Sequence, residues 1–571
     1  MKQETNLKFE DYPFKVPTLK RVQNKLEGFV KELKECGSER TASLVIKHHN
    51  KYMDELSTEI SLINVLYSID TRNKAYKNAV DRINELMPMI QNYEIQFIKV
   101  LTKARYRKDL EKTFGKYVFK KWDNSLKTFD EKIIPELIEE NKLTSKYDEV
   151  MGGALIDFKG EKLNLSQLGK YMQDADRQTR KEASQAMDKW LEEHDAELGE
   201  IYDKLVHLRD QIAKKLGFKN YVELGYLNMG RTDWNAKDVK KYREQIADVV
   251  VPLAQKLYKQ QIKRIGVKHP QNYDYALMFA SGNPKPAGDS AYLVKTAKEM
   301  YEDMSKETGV FFNKMLDLHM MDLEAKAGKA PGGYQTEFPL YKMPFVFANF
   351  NGTQGDVNVL THEIGHAFES YLSNLSIKIP ELRSLCMEIA EIHSMSMEFF
   401  AWPYMSKFFG QDDEKYRYAH LVDAIQFLPY GATVDEFQHW VYEHPNASHE
   451  DRCKKWKELE GKYTPHKVYD DVPTLNKGRY WLRQSHIFQV PFYYIDYTLS
   501  QVVAFQFLAE SRKNQPKAWK KYVKLCKCGG KYPFKEMMEK NSLRCPFDEG
   551  VLEKNIKPLI KILKEFDESK F

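Results

Sequence analysis

Two histidines and a glutamate in one short segment have the spacing that hydrolytic metal chemistry requires. The segment Val357–Ser370 reads VNVLTHEIGHAFES and contains His362, Glu363 and His366. Its apolar residues recur at the spacing of an amphipathic helix. On such a helix the two histidines project from one side, one turn apart, with Glu363 beside them. Two imidazole ligands and a carboxylate able to take a proton from water predict a catalytic zinc site.

A site of this kind needs a third ligand, and the next helical segment offers three. The stretch 381–400 follows a proline and is predicted to be a helix. Glu388, Glu391 and Glu398 share one face of it, at spacings of three and seven residues. Spacing alone leaves the choice among them open. His393 lies on nearly the opposite side from Glu391, so it is expected in the core or at the surface.

The composition is that of a globular, mainly helical protein. The chain has 571 residues, of which 42% are hydrophobic and 30% charged. Its net charge of +6 comes from Lys and Glu interleaved along helical faces, which argues against nucleic-acid binding. No apolar run reaches membrane-spanning length, because Pro491–Leu508 contains Asp and Gln. The amino terminus lacks a signal-peptide pattern and the six cysteines are scattered, so we expect a cytoplasmic protein.

The rest of the chain supplies the helices that must position these residues. Thr18 is expected to cap a first amphipathic helix. Further helices are predicted over 41–69, 70–104, 105–125, 166–195, 197–216, 236–263 and 290–323. A hairpin is predicted near 154–165, with a domain boundary after it, and Phe345–Phe350 reads as a strand. That strand could be an edge strand able to pair with a peptide main chain, or an ordinary sheet strand.

The spacing of these residues resembles the thimet oligopeptidase/oligoendopeptidase F family of zinc peptidases. His362-Glu363-x-x-His366 is followed, after 24 residues, by Glu391-x-x-Ser394-x-x-x-Glu398. Three other segments also match, and the resemblance covers roughly 200–560. These segments are Gly230–Asp233, Gly332–Tyr334 and His486–Tyr497. The nearest branch is the bacterial oligoendopeptidase F/Pz-peptidase type. His393 departs from the small residue that the family often has there, which changes no ligand.

The resemblance implies one Zn²⁺ ion, bound by His362, His366 and Glu391. Glu363 would serve as general base and then general acid during peptide-bond hydrolysis. Glu398 and Glu369 are candidates for carboxylates that orient the imidazole ligands from behind. For each of these two acids, a solvated surface position is the competing interpretation.

The resemblance also implies a second catalytic wall opposite the zinc. In the family a histidine and tyrosines of the carboxy-terminal segment line the cleft and stabilise the developing oxyanion. At the matching positions this sequence has His486, Tyr493, Tyr494 and Tyr497. Tyr497 is one helical turn from both Tyr493 and Tyr494, so the sequence leaves open which of them faces the metal.

The fold that the resemblance implies is a mainly α, gluzincin-type zincin. It has a small β-sheet beside the active-site helix and a deep channel between two helical halves. We expect an amino-terminal helical scaffold domain over 1–165 and a catalytic domain over 166–571. The expected partners are short peptide substrates, with neither nucleic acid nor membrane, and the chain would be a monomer or a small homo-oligomer.

Three functional hypotheses can be compared. The first is an endopeptidase that cuts short oligopeptides internally. The second is a non-catalytic helical peptide-binding or scaffold protein whose His-Glu-x-x-His is incidental, which predicts no bound zinc and no effect of changing Glu363. The third, an exopeptidase of another zinc family, needs a motif for recognising a free amino terminus, and the sequence contains none.

Overall fold

The first part of the chain folds into six helices, most of which the amphipathic periodicity predicts. The structure is a computed structural model that describes residues 7–326 and 328–571, so residues 1–6 of the expected first domain lie outside the described part. The helices are α1 (Leu19–Glu35), α2 (Glu39–Ile69), α3 (Lys74–Lys103), α4 (Arg107–Phe114), α5 (Lys116–Thr128) and α6 (Ile134–Gly152). Thr18 caps α1 as expected, accepting a hydrogen bond from the Arg21 N–H at 3.4 Å. Only α6 has no counterpart in the sequence-based prediction.

A short hairpin and seven helices connect this part to the central sheet. The predicted hairpin is present as β1 (Ile156–Phe158) paired antiparallel with β2 (Glu161–Leu163). The helices are α7 (Leu165–Tyr171), α8 (Arg177–Lys215), α9 (Tyr221–Asn228), α10 (Ala236–Gln245), α11 (Val251–Ile265), α12 (Ser290–Met304) and α13 (Lys306–Asp317). The prediction of two helices over 166–195 and 197–216 is wrong. A single helix of 39 residues, α8, occupies most of that span, because no Pro interrupts it and the helix continues through the buried Gly199.

A three-stranded sheet lies directly before the helix that carries the two histidines. Its strands are β3 (Met321–Glu324), β4 (Tyr334–Phe338) and β5 (Met343–Phe350), in the order β3-β5-β4. β5 pairs parallel with β3 and antiparallel with β4. It is therefore the central strand, and the edge-strand interpretation of 345–350 is wrong. Seven of its eight residues are buried, which explains why its sequence is an apolar run rather than an alternation.

Ten helices complete the chain. They are α14 (Gln354–Ser376), α15 (Met387–Phe400), α16 (Met405–Phe409), α17 (Asp413–Glu443), α18 (His449–Tyr463), α19 (Pro473–Asn476), α20 (Ser485–Gln489), α21 (Tyr494–Cys526), α22 (Phe534–Lys540) and α23 (Val551–Leu563). α15 begins six residues later than predicted, after a 3-10 turn. Short turns of 3-10 helix also cover Phe9–Asp11, Glu131–Ile133, Asn272–Ala276, Pro380–Leu382, Trp402–Tyr404, Gly410–Asp412, Tyr480–Arg483 and Glu568–Lys570, and Ile246–Val250 forms a π-helical turn.

In the described part of the chain, two large hydrophobic cores and one small cluster of α2 and α3 residues hold these elements. One core is formed by α1–α5, and it also receives Ile377 and Leu382 from the connection between α14 and α15. The larger core joins the hairpin, the sheet and most later helices. Within it, α15 packs between α14 and α21. In the described part of the chain, the helices fall short of the length and apolarity needed to cross a bilayer.

α14 and α15 approach each other closely at Gly365, the residue before His366. A Cβ atom at this position would lie 2.7 Å from Ser394 Cα and 2.9 Å from the His393 carbonyl oxygen. Both obstacles are backbone atoms, so the two helices would have to separate to accept a side chain. The absence of a side chain at Gly365 therefore sets the distance between the helices that carry the candidate ligands.

Replacing Gly365 by Ala tests this close approach. We expect Gly365→Ala to lower the free energy of unfolding by about 1–3 kcal/mol, since the added methyl forces the backbones apart. Gly28→Ala is the matched control, because Gly28 lies within α1 and an added Cβ would have open space around it. That control should gain about 0.5–1 kcal/mol. Chemical denaturation followed by circular dichroism measures both, and a stabilised Gly365→Ala would contradict the argument.

Candidate metal centre and facing wall

α14 presents the two histidines from one face. His362 and His366 are one turn apart, and their ring centroids are 5.0 Å from each other. In the first turn of α14, the buried Asp356 carboxylate accepts hydrogen bonds from the backbone N–H groups of Asn351 and Gly352, at 3.0 and 2.7 Å. These bonds fix the turn between β5 and α14. The imidazole pair is therefore held at a defined position relative to the sheet.

The structure brings Glu391 to these histidines. Glu391 Oε2 lies 3.2 Å from Nε2 of His362 and 3.2 Å from Nε2 of His366. Ser394, one turn further along α15, donates a hydrogen bond to the same oxygen at 3.0 Å. The side chains of His362 and His366 keep 22% and 16% exposure, so the group is open on one side. One atom from each of the three residues can be chosen within 4.8 Å of the others, as a metal site requires.

The electrostatics of this group fit a cation. Burial lowers the pKa of His362, but its hydrogen bonds with Glu391 and Glu398 outweigh burial and raise that pKa well above its usual value. Burial likewise opposes ionisation of Glu391, yet the charge of His366 and hydrogen bonds with both imidazoles hold its pKa well below its usual range. The site therefore favours positive charge between these side chains. Two imidazole nitrogens and one carboxylate oxygen are a ligand set suited to zinc.

The two other glutamates of α15 point elsewhere. Glu388 is buried and accepts a hydrogen bond from Trp234 Nε1 at 2.8 Å. Glu398 Oε1 lies 2.7 Å from His362 Nδ1, behind the ligand, as expected for an orienting carboxylate. The same expectation for Glu369 is not met, because that carboxyl is buried beside Glu337, and burial raises its pKa well above the usual value.

Glu363 and His393 occupy contrasting environments. Glu363 is 8% exposed, and burial raises the pKa of its carboxyl while the charges of His362 and His366 oppose that shift. A carboxyl with a raised pKa beside two candidate metal ligands accepts a proton more readily than an ordinary glutamate does. His393 is fully buried, and burial lowers its pKa to about 3. It is a core residue on the other side of α15, as the helical spacing predicts.

Two residues that the sequence reasoning missed extend the layer behind His362. Glu398 Oε2 lies 2.7 Å from Nε2 of His420, which is on α17. Trp402 Nε1, which can only donate, lies 2.8 Å from His420 Nδ1. Trp402 therefore keeps Nδ1 unprotonated, and His420 donates its Nε2–H to Glu398. No local pattern could have found this arrangement, since His420 is 58 residues from His362.

His486 lies beside Tyr497 as a neutral donor. The Tyr430 hydroxyl donates to Gln484 Oε1 at 2.7 Å, which turns Gln484 Nε2 toward His486 Nδ1, also at 2.7 Å. This network assigns the imidazole proton to Nε2, which is 3.3 Å from the Tyr497 hydroxyl oxygen. Burial lowers the pKa of His486 to about 4, so the ring is neutral at neutral pH.

The three tyrosines of this segment have different surroundings. The Tyr493 hydroxyl donates to Glu391 Oε1 at 2.5 Å, which joins the facing wall to the metal centre. Tyr497 lies beside Tyr493, with ring centroids 4.8 Å apart. Burial and then the Glu391 carboxylate raise the pKa of both hydroxyls, so both keep their protons. The ring of Tyr494 instead meets Tyr430 edge-on at 5.6 Å, and Glu391 is not among the causes that raise the pKa of its hydroxyl.

Arg231 fixes the turn that carries these tyrosines. Its Nη2 atom donates to the Phe492 carbonyl oxygen at 2.5 Å and to Asp496 at 2.7 Å. The guanidinium lies between the rings of Tyr226 and Trp234, 4.5 and 4.2 Å from their centroids. Phe492 has φ of 68°, a left-handed conformation that a non-glycine residue adopts only where its surroundings enforce it. The segment Gly230–Asp233 thus acts by positioning the facing wall.

Known proteins resemble this chain over nearly its whole length. Residues 9–129 match the family model of the peptidase M3 N-terminal domain, and residues 294–556 match that of peptidase family M3. A solved structure assigned as an oligoendopeptidase F is 42% identical, with a TM-score of 0.97 over 99% of this chain and 100% of its own. PZ peptidase A, solved with an inhibitor, is 43% identical, with a TM-score of 0.96 over 98% of this chain and 100% of its own.

A more distant relative is the oligoendopeptidase F homolog of Borreliella burgdorferi. It is 24% identical over 375 residues, which are 64% of this chain. The chain spans 61% of the length of that relative.

The layer behind His362 predicts an effect on metal affinity. We expect His420→Leu to weaken zinc binding by about 10-fold or more, because Glu398 loses a donor and orients His362 less firmly. The zinc affinity of His420→Gln should stay closer to that of the wild type, because the glutamine amide can still donate a hydrogen bond to Glu398. Competition with a chromogenic chelator measures the zinc dissociation constant.

The matched control is His439→Gln, a buried histidine of α17 whose Nε2 lies 2.9 Å from the Tyr226 hydroxyl rather than near the metal centre. It should bind zinc as the wild type does. Equal zinc affinity in His420→Leu and the wild type would remove His420 from the metal site.

Proposed function

The chain belongs to peptidase family M3, and from that premise we propose that it is a zinc-dependent endopeptidase of short, unstructured oligopeptides. The observation that carries the proposal is the convergence of His362, His366 and Glu391, with Glu363 beside them. The comparisons with family members support the peptidase class, and the geometry supports zinc and the roles given below.

We assign the metal ligands to Nε2 of His362, Nε2 of His366 and the carboxylate of Glu391. Zn²⁺ bound there would supply a Lewis acid that lowers the pKa of water and polarises a peptide carbonyl. Three protein ligands leave room for water and substrate, which is typical of a catalytic rather than a structural site. Glu398 holds His362 in the orientation that presents Nε2.

Glu363 is proposed as the general base and then the general acid. Its carboxylate takes a proton from the attacking water and later delivers it to the departing amine. Burial raises its pKa, so the protonated form is accessible once the proton has been taken. The low exposure of this carboxyl also keeps bulk water from competing for the transferred proton.

The facing wall is proposed to stabilise the negative charge that develops on the substrate carbonyl oxygen. Tyr497 and His486 keep a hydroxyl proton and an Nε2 proton available as donors. Tyr493 instead positions Glu391 through its hydrogen bond to Oε1. Tyr494, turned toward Tyr430, is proposed to line the cleft with its ring.

We also propose that the amino-terminal domain, with its boundary near residue 165, supports the third ligand. Lys121 of α5 donates to the carbonyl oxygens of Glu381 and Ser384, at 2.6 and 2.8 Å. Arg383 of the same connection pairs with Asp54 of α2 at 2.7 Å. These contacts lie just before α15, so the first domain would fix the start of the helix that carries Glu391. The peptide channel would then lie between the two helical halves.

Replacing Glu363 by Gln separates catalysis from metal binding. We expect Glu363→Gln to lower kcat by about 10²–10⁴-fold, since the amide cannot accept the proton, while the variant still binds one zinc ion. Cleavage of an internally quenched peptide and metal analysis of both proteins provide the measurements. A wild-type rate in this variant, or a wild type without zinc, would favour the non-catalytic scaffold hypothesis.

The tyrosines should differ in their effects. Tyr497→Phe removes a proposed oxyanion donor and should lower kcat by about 10²-fold with little change in KM. Tyr494→Phe is the matched control on the same helical turn. Its loss of kcat should be several-fold smaller, because the proposed role of Tyr494 depends on the ring, which phenylalanine keeps, and not on the hydroxyl. Steady-state kinetics at saturating zinc compare the two variants. A larger loss of kcat in Tyr494→Phe than in Tyr497→Phe would assign the oxyanion donor to Tyr494 instead of Tyr497.

A further inference from the structure

One stripe of α17 is open to solvent although the helix crosses the protein interior. Between Tyr418 and Asp435 every residue of α17 is buried except four. These four are His420, Asp423, Phe427 and Tyr430. They follow one another at intervals of three, four and three residues, so they lie on a single face of the helix. That face therefore borders accessible space.

Both ends of this stripe contact the candidate catalytic machinery. At one end, His420 donates to Glu398, which supports a metal ligand. At the other end, the Phe427 ring lies 5.7 Å from that of Tyr494 and 6.4 Å from that of Tyr497. The stripe thus runs from a residue that contacts the candidate metal centre to a residue that contacts the tyrosines of the facing wall. A bound peptide that reaches both would lie along this stripe.

Asp423 is the exposed carboxylate in the middle of the stripe. Within the described residues, no Lys, Arg or His side chain forms an ion pair with it at 4.0 Å or less. Although its side chain is accessible, surrounding protein raises its pKa to about 6, with His420 opposing the shift. Asp423 lies on the stripe between His420, which contacts Glu398, and Phe427, which contacts two tyrosines of the facing wall, and a raised pKa agrees with a recess at that place. It remains mainly ionised at neutral pH.

Aromatic rings flank this carboxylate. Phe427 and Tyr430 follow it along the stripe, and Tyr258 of α11 lies near enough for the charge of Asp423 to raise its pKa. One cation is already present at the far end, where Lys467 lies 4.9 Å from the Tyr430 ring centroid. That lysine is paired with Glu460 at 3.3 Å, so it does not neutralise Asp423. A recess with an unpaired carboxylate and aromatic faces suits a cationic side chain.

We propose that Asp423, with Phe427 and Tyr430, forms a substrate subsite that selects an arginine or lysine side chain of the peptide near the scissile bond. The inference rests on the proposed peptidase function and specifies its substrate class. The carboxylate supplies attraction at reduced dielectric, and the rings supply contact area and cation–π interactions. The preference follows from the charge of the peptide side chain, so a peptide with a neutral residue of the same shape at that position should not be preferred.

The test uses zinc-loaded full-length protein and internally quenched peptides of one sequence. Each peptide carries a single arginine, and the set as a whole places it at successive positions on both sides of the cleaved bond. Its matched partner carries citrulline at the same position, because citrulline has the same shape without the charge. In the wild type we expect one position at which arginine raises kcat/KM by about 10-fold over citrulline. In Asp423→Asn that ratio should fall to about one, and in Asp423→Lys a glutamate peptide should be preferred over its glutamine partner.

Glu443→Gln is the control, since it removes one exposed carboxylate from the opposite end of the same helix. Its arginine-to-citrulline ratio should equal that of the wild type. A wild type without any such preference, or a preference that survives in Asp423→Asn, would overturn the subsite while leaving the peptidase function in place.

Binding provides a second readout that does not depend on turnover. The same peptides, labelled with a fluorophore, can be titrated into zinc-loaded Glu363→Gln and into its double variant with Asp423→Asn, with anisotropy as the signal. We expect tighter binding of the arginine peptide only where Asp423 is present. If the wild type cleaves no peptide, the proposed function fails, and the binding comparison still decides whether Asp423 forms a cation subsite.

Discussion

The candidate metal centre depends on how closely two helices approach each other. Glu391 Oε2 can lie 3.2 Å from both imidazole nitrogens only because α15 rests against the backbone of α14 at Gly365. A side chain there would separate the carboxylate from the histidines by about the width of a methyl group. Ligand positions must hold to within a few tenths of an ångström for a metal to bind. The glycine inside the His-Glu-x-x-His segment is thus a geometric requirement of the site.

Buried charge holds the facing wall in place. Arg231 and Asp496 are both fully buried, and each is the main opposite charge near the other. Removing one partner of such a pair usually costs about 3–5 kcal/mol, because the remaining charge stays buried without compensation. Because of this penalty, conformations of the Phe492 turn that break the Arg231–Asp496 pair are strongly disfavoured. A loop more than 250 residues away in sequence therefore fixes where the tyrosines of the facing wall lie.

The sequence predicted the helices that a local pattern defines. It left open the choice of the third ligand and the pairing of the strands, which depend on helix rotation and on contacts between distant residues. Periodicity identified α1 and α14, and it put the two histidines on one face. It could not choose among Glu388, Glu391 and Glu398, because a helical face spans more angle than a metal ligand tolerates. The resemblance to a family made that choice. The edge-strand interpretation failed because pairing partners are non-local, although the unbroken apolar run of β5 favours a central strand.

α17 connects two functions that local sequence patterns cannot relate. His420 supports the metal centre through Glu398, and Asp423, one turn later, borders the space where a peptide would lie. The helix is held against α21 beside the facing wall, since a Cβ atom at Gly431 would lie 2.2 Å from Thr498 Cγ2. Because a helix is stiff over two turns, a shift that moved Asp423 would also move His420. Under the proposed assignments, substrate contact and metal-ligand orientation are therefore mechanically coupled through one element.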